Sequence, residues 1–180
     1  MTSHLPSLLD EVLPAFDVAA KYSIRVQASP EKIYRILQKG IPTGSITKIL
    51  MALRKVPRLF RKETDCPDYS FYKLKESQAN EIVIGIVGQF WKPVASIVPV
   101  ESLEEFIAFE RNGYCKAAMN LRITPQTANA CSLTTETRVI SYGYAKERFL
   151  SYWQVIKPFS GLIRREILRK IKKEAEQLQI

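Results

Sequence analysis

Residues 114–142 read YCKAAMNLRITPQTANACSLTTETRVISY. Two β-rich runs, Tyr114–Thr124 and Ala130–Tyr142, flank Pro125-Gln126-Thr127-Ala128-Asn129, a cluster of turn-forming residues. If the chain reverses about Thr127, Met119 faces Thr135, Leu121 faces Leu133 and Ile123 faces Cys131. The alternate positions hold Asn120, Arg122, Ser132, Thr134, Glu136 and Arg138. Successive side chains of a strand point to opposite sides, so this hairpin is apolar on one face and polar on the other. The pattern predicts an antiparallel sheet covered on one side only.

An apolar sheet face needs a cover, and the next segment supplies one. From Tyr144 to Gln179, Phe149, Trp153, Ile156, Ser160, Ile163, Ile167, Ile171, Ala175 and Leu178 recur at helical spacing. At 1.5 Å per residue this helix would run to about 54 Å. Pro158 removes one backbone hydrogen bond and crowds the carbonyl of Gln154, so a kink or short break is expected there.

Toward the N-terminus, Tyr22–Ala28 (YSIRVQA) alternates as a strand. Ser29-Pro30-Glu31 then opens a short helix: serine suits the cap, and proline at the first helical position loses only an N–H that would be unpaired anyway. After the turn Ile41-Pro42-Thr43-Gly44, Ser45 caps a second helix reaching Lys55, with Pro57 ending it. Further strands are predicted at Tyr69–Lys75, Glu81–Val87, Val94–Val98 and Glu105–Phe109. Strands and helices are segregated along the chain, which indicates an α+β fold rather than a parallel α/β sheet. The chain reads as one domain over residues 1–180, with about 1–20 as an N-terminal extension.

The order of elements resembles the helix-grip fold of the START-like superfamily, which includes polyketide cyclases, lipid-transfer domains and pollen-allergen-like proteins. The resemblance is carried by YSIRVQASPEKIYRIL at 22–37, EIVIGIVGQFW at 81–91 and TTETRVISYGYAKERFLSYWQVIKPFSGLIR at 134–164. It implies a cavity between the curved sheet and the last helix, suited to a hydrophobic small molecule or lipid. The implied lining is Trp91, Phe106, Met119, Leu121, Leu133, Thr135, Thr137, Phe149, Trp153 and Ile156. The competing reading is that these residues form the core. Thr135 and Thr137 are the most informative, because buried hydroxyls need partners that a ligand or water would supply. No cofactor is implied.

Composition limits the alternatives. No apolar run reaches the ~18 residues of a membrane span, and Met1–Leu9 lacks the pattern of a signal peptide. Cys66, Cys115 and Cys131 make no pairwise motif. These features lead to the expectation of a cytoplasmic protein, with Cys115 and Cys131 as buried hydrophobes. The single histidine, His4, weakens any Ser-His, Cys-His or histidine-metal mechanism.

The net charge of +9 divides into +5 over residues 1–60, −1 over 61–140 and +5 over 141–180. Two basic tracts, Arg54–Lys62 with Leu59 and Phe60 inside it, and Arg164–Lys173, suit either a solvated surface or docking on anionic membranes. Nucleic acid ranks last as a partner, for want of any recognition motif. Glu136 and Arg138, near Arg122 and Asn120, read as exposed cross-strand pairs, or else as a cluster at a pocket mouth in which Arg138 clamps a carboxylate. A cyclase or hydratase on the same cavity would need acid–base groups, for which Glu81 and Tyr152 are the candidates.

Overall fold

The protein, in a computed structural model, is described over residues 6–41, 71–92 and 96–177. The elements run α1 (Leu8–Val12), β1 (Val18–Val26), α2 (Pro30–Gln38), β2 (Tyr72–Ser77), β3 (Glu81–Gly88), β4 (Ile97–Val98), α3 (Leu103–Ala108), β5 (Cys115–Thr127), β6 (Ala130–Ser141) and α4 (Ala145–Gln177). Six strands form one curved antiparallel sheet in the order β1-β6-β5-β3-β2, with β4 added beside β3. The expected helix Ser45–Lys55, the tract Arg54–Lys62, Val94, His4, Cys66 and Leu178 lie outside the described residues.

The hairpin β5–β6 keeps the expected faces but not the expected pairs. Met119 lies opposite Thr137, Leu121 opposite Thr135 and Ile123 opposite Leu133. The register is therefore two residues from the expected one, a slip that leaves each side chain on its own side. The cause is the turn. β5 extends through Pro125 to Thr127 with an irregularity, and Thr127 pairs Ala130, so Ala128-Asn129 makes a tighter reversal than a five-residue loop.

On the inner face, Val26, Ile82, Leu121, Ile123, Cys131 and Leu133 pack with Ile33, Ile36 and Leu37 of α2 and Ile167, Leu168, Ile171 and Ala175 of α4. At the opposite end of the same face, Cys115 and Val139 pack with Ala145 and Phe149, joined by Phe90, Trp91, Tyr152 and Trp153. α4 runs unbroken for 33 residues through Pro158. The expected break is absent because Pro158 and Gln154 are both exposed, so water can satisfy the carbonyl that proline leaves without a donor.

The outer face is covered too over β2, β3 and β5, against the expectation of a one-sided sheet, while Ala19, Lys21, Ser23 and Arg25 of β1 stay exposed. Leu9, Val12 and Leu13 from the α1 region pack with Leu74, Val83, Val87, Ala118 and Phe106. Residues 8–13 of the stretch read as an N-terminal extension are thus part of this layer. Ser7 caps α1 in a reciprocal capping box with Asp10. Segment 105–109, expected as a strand, instead forms the end of α3 through Ala108 and its C-cap Phe109, and Ser102 caps the start by accepting from the Glu105 N–H at 3.0 Å. Gly85 leaves room for this packing: a Cβ there would lie 2.4 Å from Leu74 and 2.8 Å from Phe106. A long helix across one face of a curved antiparallel sheet, with short helices before it, is the helix-grip arrangement.

Candidate functional site

The inner face is packed at both ends but not in its middle. Met119 of β5 and Ile84 of β3 are cross-strand partners there, and both are only half-buried. Beside them lies a cavity of about 490 Å³. Its sheet wall is Ile82, Ile84 and Leu121. The end of α2 contributes Leu37, Gln38, Gly40 and Ile41, and the β2 side contributes Phe71, Lys73 and Glu76. The irregularity of β2 between Lys73 and Lys75 explains this last wall, since Lys73 pairs Ile84 while Glu76 pairs Ile82, bringing both side chains to the inner side.

The rim is polar and internally balanced. Glu76 accepts from Lys73 Nζ at 2.6 Å and from the Tyr34 hydroxyl. Those two donors, Lys73 first, hold its carboxyl below the usual range, while Glu76 raises the Tyr34 phenol. Glu76 is therefore an ionised carboxylate at neutral pH, unsuited to donate a proton.

Leu121 alone of the implied lining residues forms part of this cavity wall. Met119, Leu133, Thr135 and Thr137 share its sheet face. Leu133 and Thr135 are fully covered, and the Thr135 hydroxyl is satisfied by donating to the Asn120 carbonyl at 2.8 Å. Trp91, Phe149 and Trp153 meet in the aromatic cluster at the far end, where Phe149 and Trp153 stack with ring centroids 6.1 Å apart. The indole N–H of Trp91 is buried without an acceptor. Ile156 is half-buried on the middle of α4. Phe106 is misplaced by the sequence reading. It sits on the outer face because α3, not a strand, carries it.

The acid–base candidate Glu81 is also on the outer face, where it pairs Arg122 across the strands. Its carboxylate accepts from the Ser7 hydroxyl, from the Leu8 N–H at 3.1 Å and from Asn120 Nδ2 at 2.7 Å. It is saturated by groups that tie α1 to the sheet and has no route to the cavity. Glu136 and Arg138 belong to the same layer. Arg138 donates to Glu136 at 2.7 Å, to the Leu13 carbonyl at 3.1 Å and to Asp10 at 2.6 Å. These charges are not the exposed pairs the sequence suggested, since α1 roofs them, and the carboxylates Arg138 clamps are the protein's own. Tyr152 stands half-buried against Phe149.

The two described cysteines are buried. Burial pushes the Cys115 thiol up to about 12 and raises Cys131 as well, so neither is a nucleophile at neutral pH. Among the described residues no three His, Cys, Asp or Glu side chains group as a metal site. No described helix is long and apolar enough to cross a membrane.

Arg164 is the residue that the sequence reading missed. It was grouped with Arg165 in a basic surface tract, yet its Nε donates to Thr137 Oγ1 at 2.9 Å on the inner face. Its position was legible: it lies four residues after Ser160 and four before Leu168, within the buried stripe of α4.

No protein-family model matches the chain, and no curated protein does. Solved structures similar to it include a START superfamily protein from Mycobacterium smegmatis, at 12% identity over 89% of this chain and 99% of that one, with a TM-score of 0.38. A conserved protein from Geobacillus kaustophilus is 16% identical over 89% of this chain and 96% of that one, with a TM-score of 0.37. The Zhui aromatase/cyclase from Streptomyces sp. R1128 is 11% identical over 89% and 94%, with a TM-score of 0.31. The fold assignment itself rests on the strand order and on the helix that crosses the sheet.

Proposed function

We propose that the protein binds an apolar small molecule or lipid in the space between the inner sheet face, the end of α2 and β2. The observation that carries this reading is the half-buried state of Ile84 and Met119 at the centre of the inner face, between the two packed clusters at its ends. Apolar groups there gain from any ligand that removes them from water, by roughly 25 cal/mol per Å². A volume near 490 Å³ lies within the range of small-molecule sites, about 300–1,000 Å³. Binding is favoured over cyclase chemistry because Glu81 faces away from the cavity and Glu76 is held ionised.

The test is titration with phenylnaphthylamine, a neutral fluorescent probe. Wild type is expected to bind it with enhanced fluorescence. Ile84→Trp, which fills the cavity, should weaken binding at least about tenfold while far-ultraviolet circular dichroism stays unchanged. Equal binding by both proteins would place the probe elsewhere and remove the reading.

A second reading, docking on anionic membranes, has its own observation. Val155, Phe159 and Leu162 form an exposed apolar stripe on α4, at 68%, 47% and 44% exposure, with Arg165 beside it. Phe159→Glu should then reduce cosedimentation with phosphatidylserine vesicles, and no change would discard this surface.

A further inference from the structure

A charge stands on the inner face without a countercharge. Arg164 Nε donates to Thr137 Oγ1 at 2.9 Å, and its Nη1 donates to the Ser160 carbonyl at 2.9 Å and to the Ser160 hydroxyl. Among the described residues it meets no carboxylate, and its Nη2 donates to nothing. Burial lowers its pKa to about 10, so at neutral pH it is a desolvated cation. The residue nevertheless keeps part of its surface accessible. Its Nη2, which has no partner among the described residues, is open to solvent and so to a ligand.

The neighbours of that guanidinium are hydroxyls with donors to spare. Thr137 and Ser160 both accept from Arg164, which leaves each O–H free to donate elsewhere. The Tyr22 hydroxyl approaches the same turn of α4, because Gly161 has no Cβ; one built there would lie 2.5 Å from it. Two N–H bonds of Nη2 and these hydroxyls form a donor-rich, anion-seeking patch in an apolar layer. The cavity is close by. Thr137 pairs Met119, and Met119 pairs Ile84 of the cavity wall. Two strand spacings make that roughly 10 Å.

We propose that Arg164, with Thr137 and Ser160, is the subsite for a carboxylate, so that the ligand is an amphiphile whose apolar body lies against Ile84 and Met119 and whose acid group meets the guanidinium. This rests on the cavity reading above and narrows it from apolar molecules to apolar acids. Arg164 is energetically unexplained as a structural group. A half-buried cation without an acid gains no ion pair for its partial desolvation, and its place is accounted for by a ligand that completes the pair.

The probes are cis-parinaric acid and its methyl ester, which share an apolar chain and differ in the anion. Wild type is expected to bind the acid at least about tenfold tighter than the ester. Arg164→Gln should remove that preference by weakening the acid roughly tenfold to a hundredfold, the range for a hydrogen-bonded charge, and leave the ester unchanged. Arg164→Lys should retain part of it. In the ligand-free protein, Arg164→Met should raise the melting temperature by about 2–4 °C, since an uncompensated charge is removed. Equal binding of acid and ester by wild type, or equal loss of both in Arg164→Gln, would overturn the subsite and leave the cavity standing. A lowered melting temperature in Arg164→Met would make the guanidinium structural and overturn it also. Failure of wild type to bind either probe would remove the cavity reading itself.

Discussion

Two arginines lie against opposite faces of the sheet, Arg138 on β6 and Arg164 on α4, and they have opposite surroundings. Arg138, on the outer face, is held by Asp10, Glu136 and the Leu13 carbonyl. Arg164, on the inner face, has only hydroxyls and a carbonyl. The outer layer is closed: Ser7, Glu81 and Asn120 satisfy one another, and Leu9 and Phe106 are fully covered. The inner layer is packed at its ends and accessible at its centre. A completed polar network fixes one arrangement of the chain, whereas an uncompleted one asks for a partner. The difference separates the part of the molecule that stabilises from the part available to bind.

The contrast gives graded expectations. Arg138→Met should destabilise most, by about 3–5 kcal/mol in urea unfolding, because Asp10, Glu136 and the Leu13 carbonyl lose their shared donor and Glu136 keeps only the exposed Lys21 at 3.4 Å. A loss below 1 kcal/mol would mean the outer network is not a closed unit. Next come truncations on the two faces. Leu9→Ala, at a fully buried outer position, should cost about 2–5 kcal/mol, while Met119→Ala should cost less than the low end of that range, since Met119 is not closely surrounded. Equal costs would show the inner face to be as tightly packed as the outer.

The smallest effect is acid dependence. The hydrogen bond from Arg138 holds the Asp10 carboxyl below its usual 3.8. A folded-state pKa below the unfolded value means stability that is complete above that unfolded value and lost as pH falls through the lower, folded one. Asp10 is half-exposed, at 49% of its side chain, so solvent screening limits the term to about 1 kcal/mol. Asp10→Asn should therefore be slightly less stable than wild type at pH 7, and the gap should close as pH falls below 3.8 and through the lower, folded-state value. A gap that widened in acid would contradict this sign.

How much of this the sequence disclosed depends on the range of the interactions involved. Strand faces and the long helix were legible because alternation and helical periodicity are local signals, written in Leu121, Ile123 and Leu133 or in Phe149, Ile167 and Ile171. The register of β5–β6 was not, because a turn tightened to Ala128-Asn129 is one of several that suit the same residues. Phe106 was misassigned because Ser102, three residues before Glu105, is a cap signal that a short β-rich reading overrode. The outer cover was missed for a different reason. Nothing local in Ser7–Leu13 says that Glu81 and Arg138, distant in sequence, will bind it. The inner space was expected, but its place was not. Its walls come from α2 and β2, whose inward residues Lys73 and Glu76 depend on a bulge. Arg164 shows the cost of reading charge by composition, since a basic tract on a helix has one side that faces in.

The most direct test of the account is methyl NMR of the full chain titrated with phenylnaphthylamine. Shifts and probe-to-methyl Overhauser contacts are expected at Ile82, Ile84, Met119 and Leu121, with Leu9, Val83 and Val87 on the outer face unmoved. Probe contacts confined to the outer-face methyls, or none at Ile84 and Leu121 under saturating probe, would contradict the account.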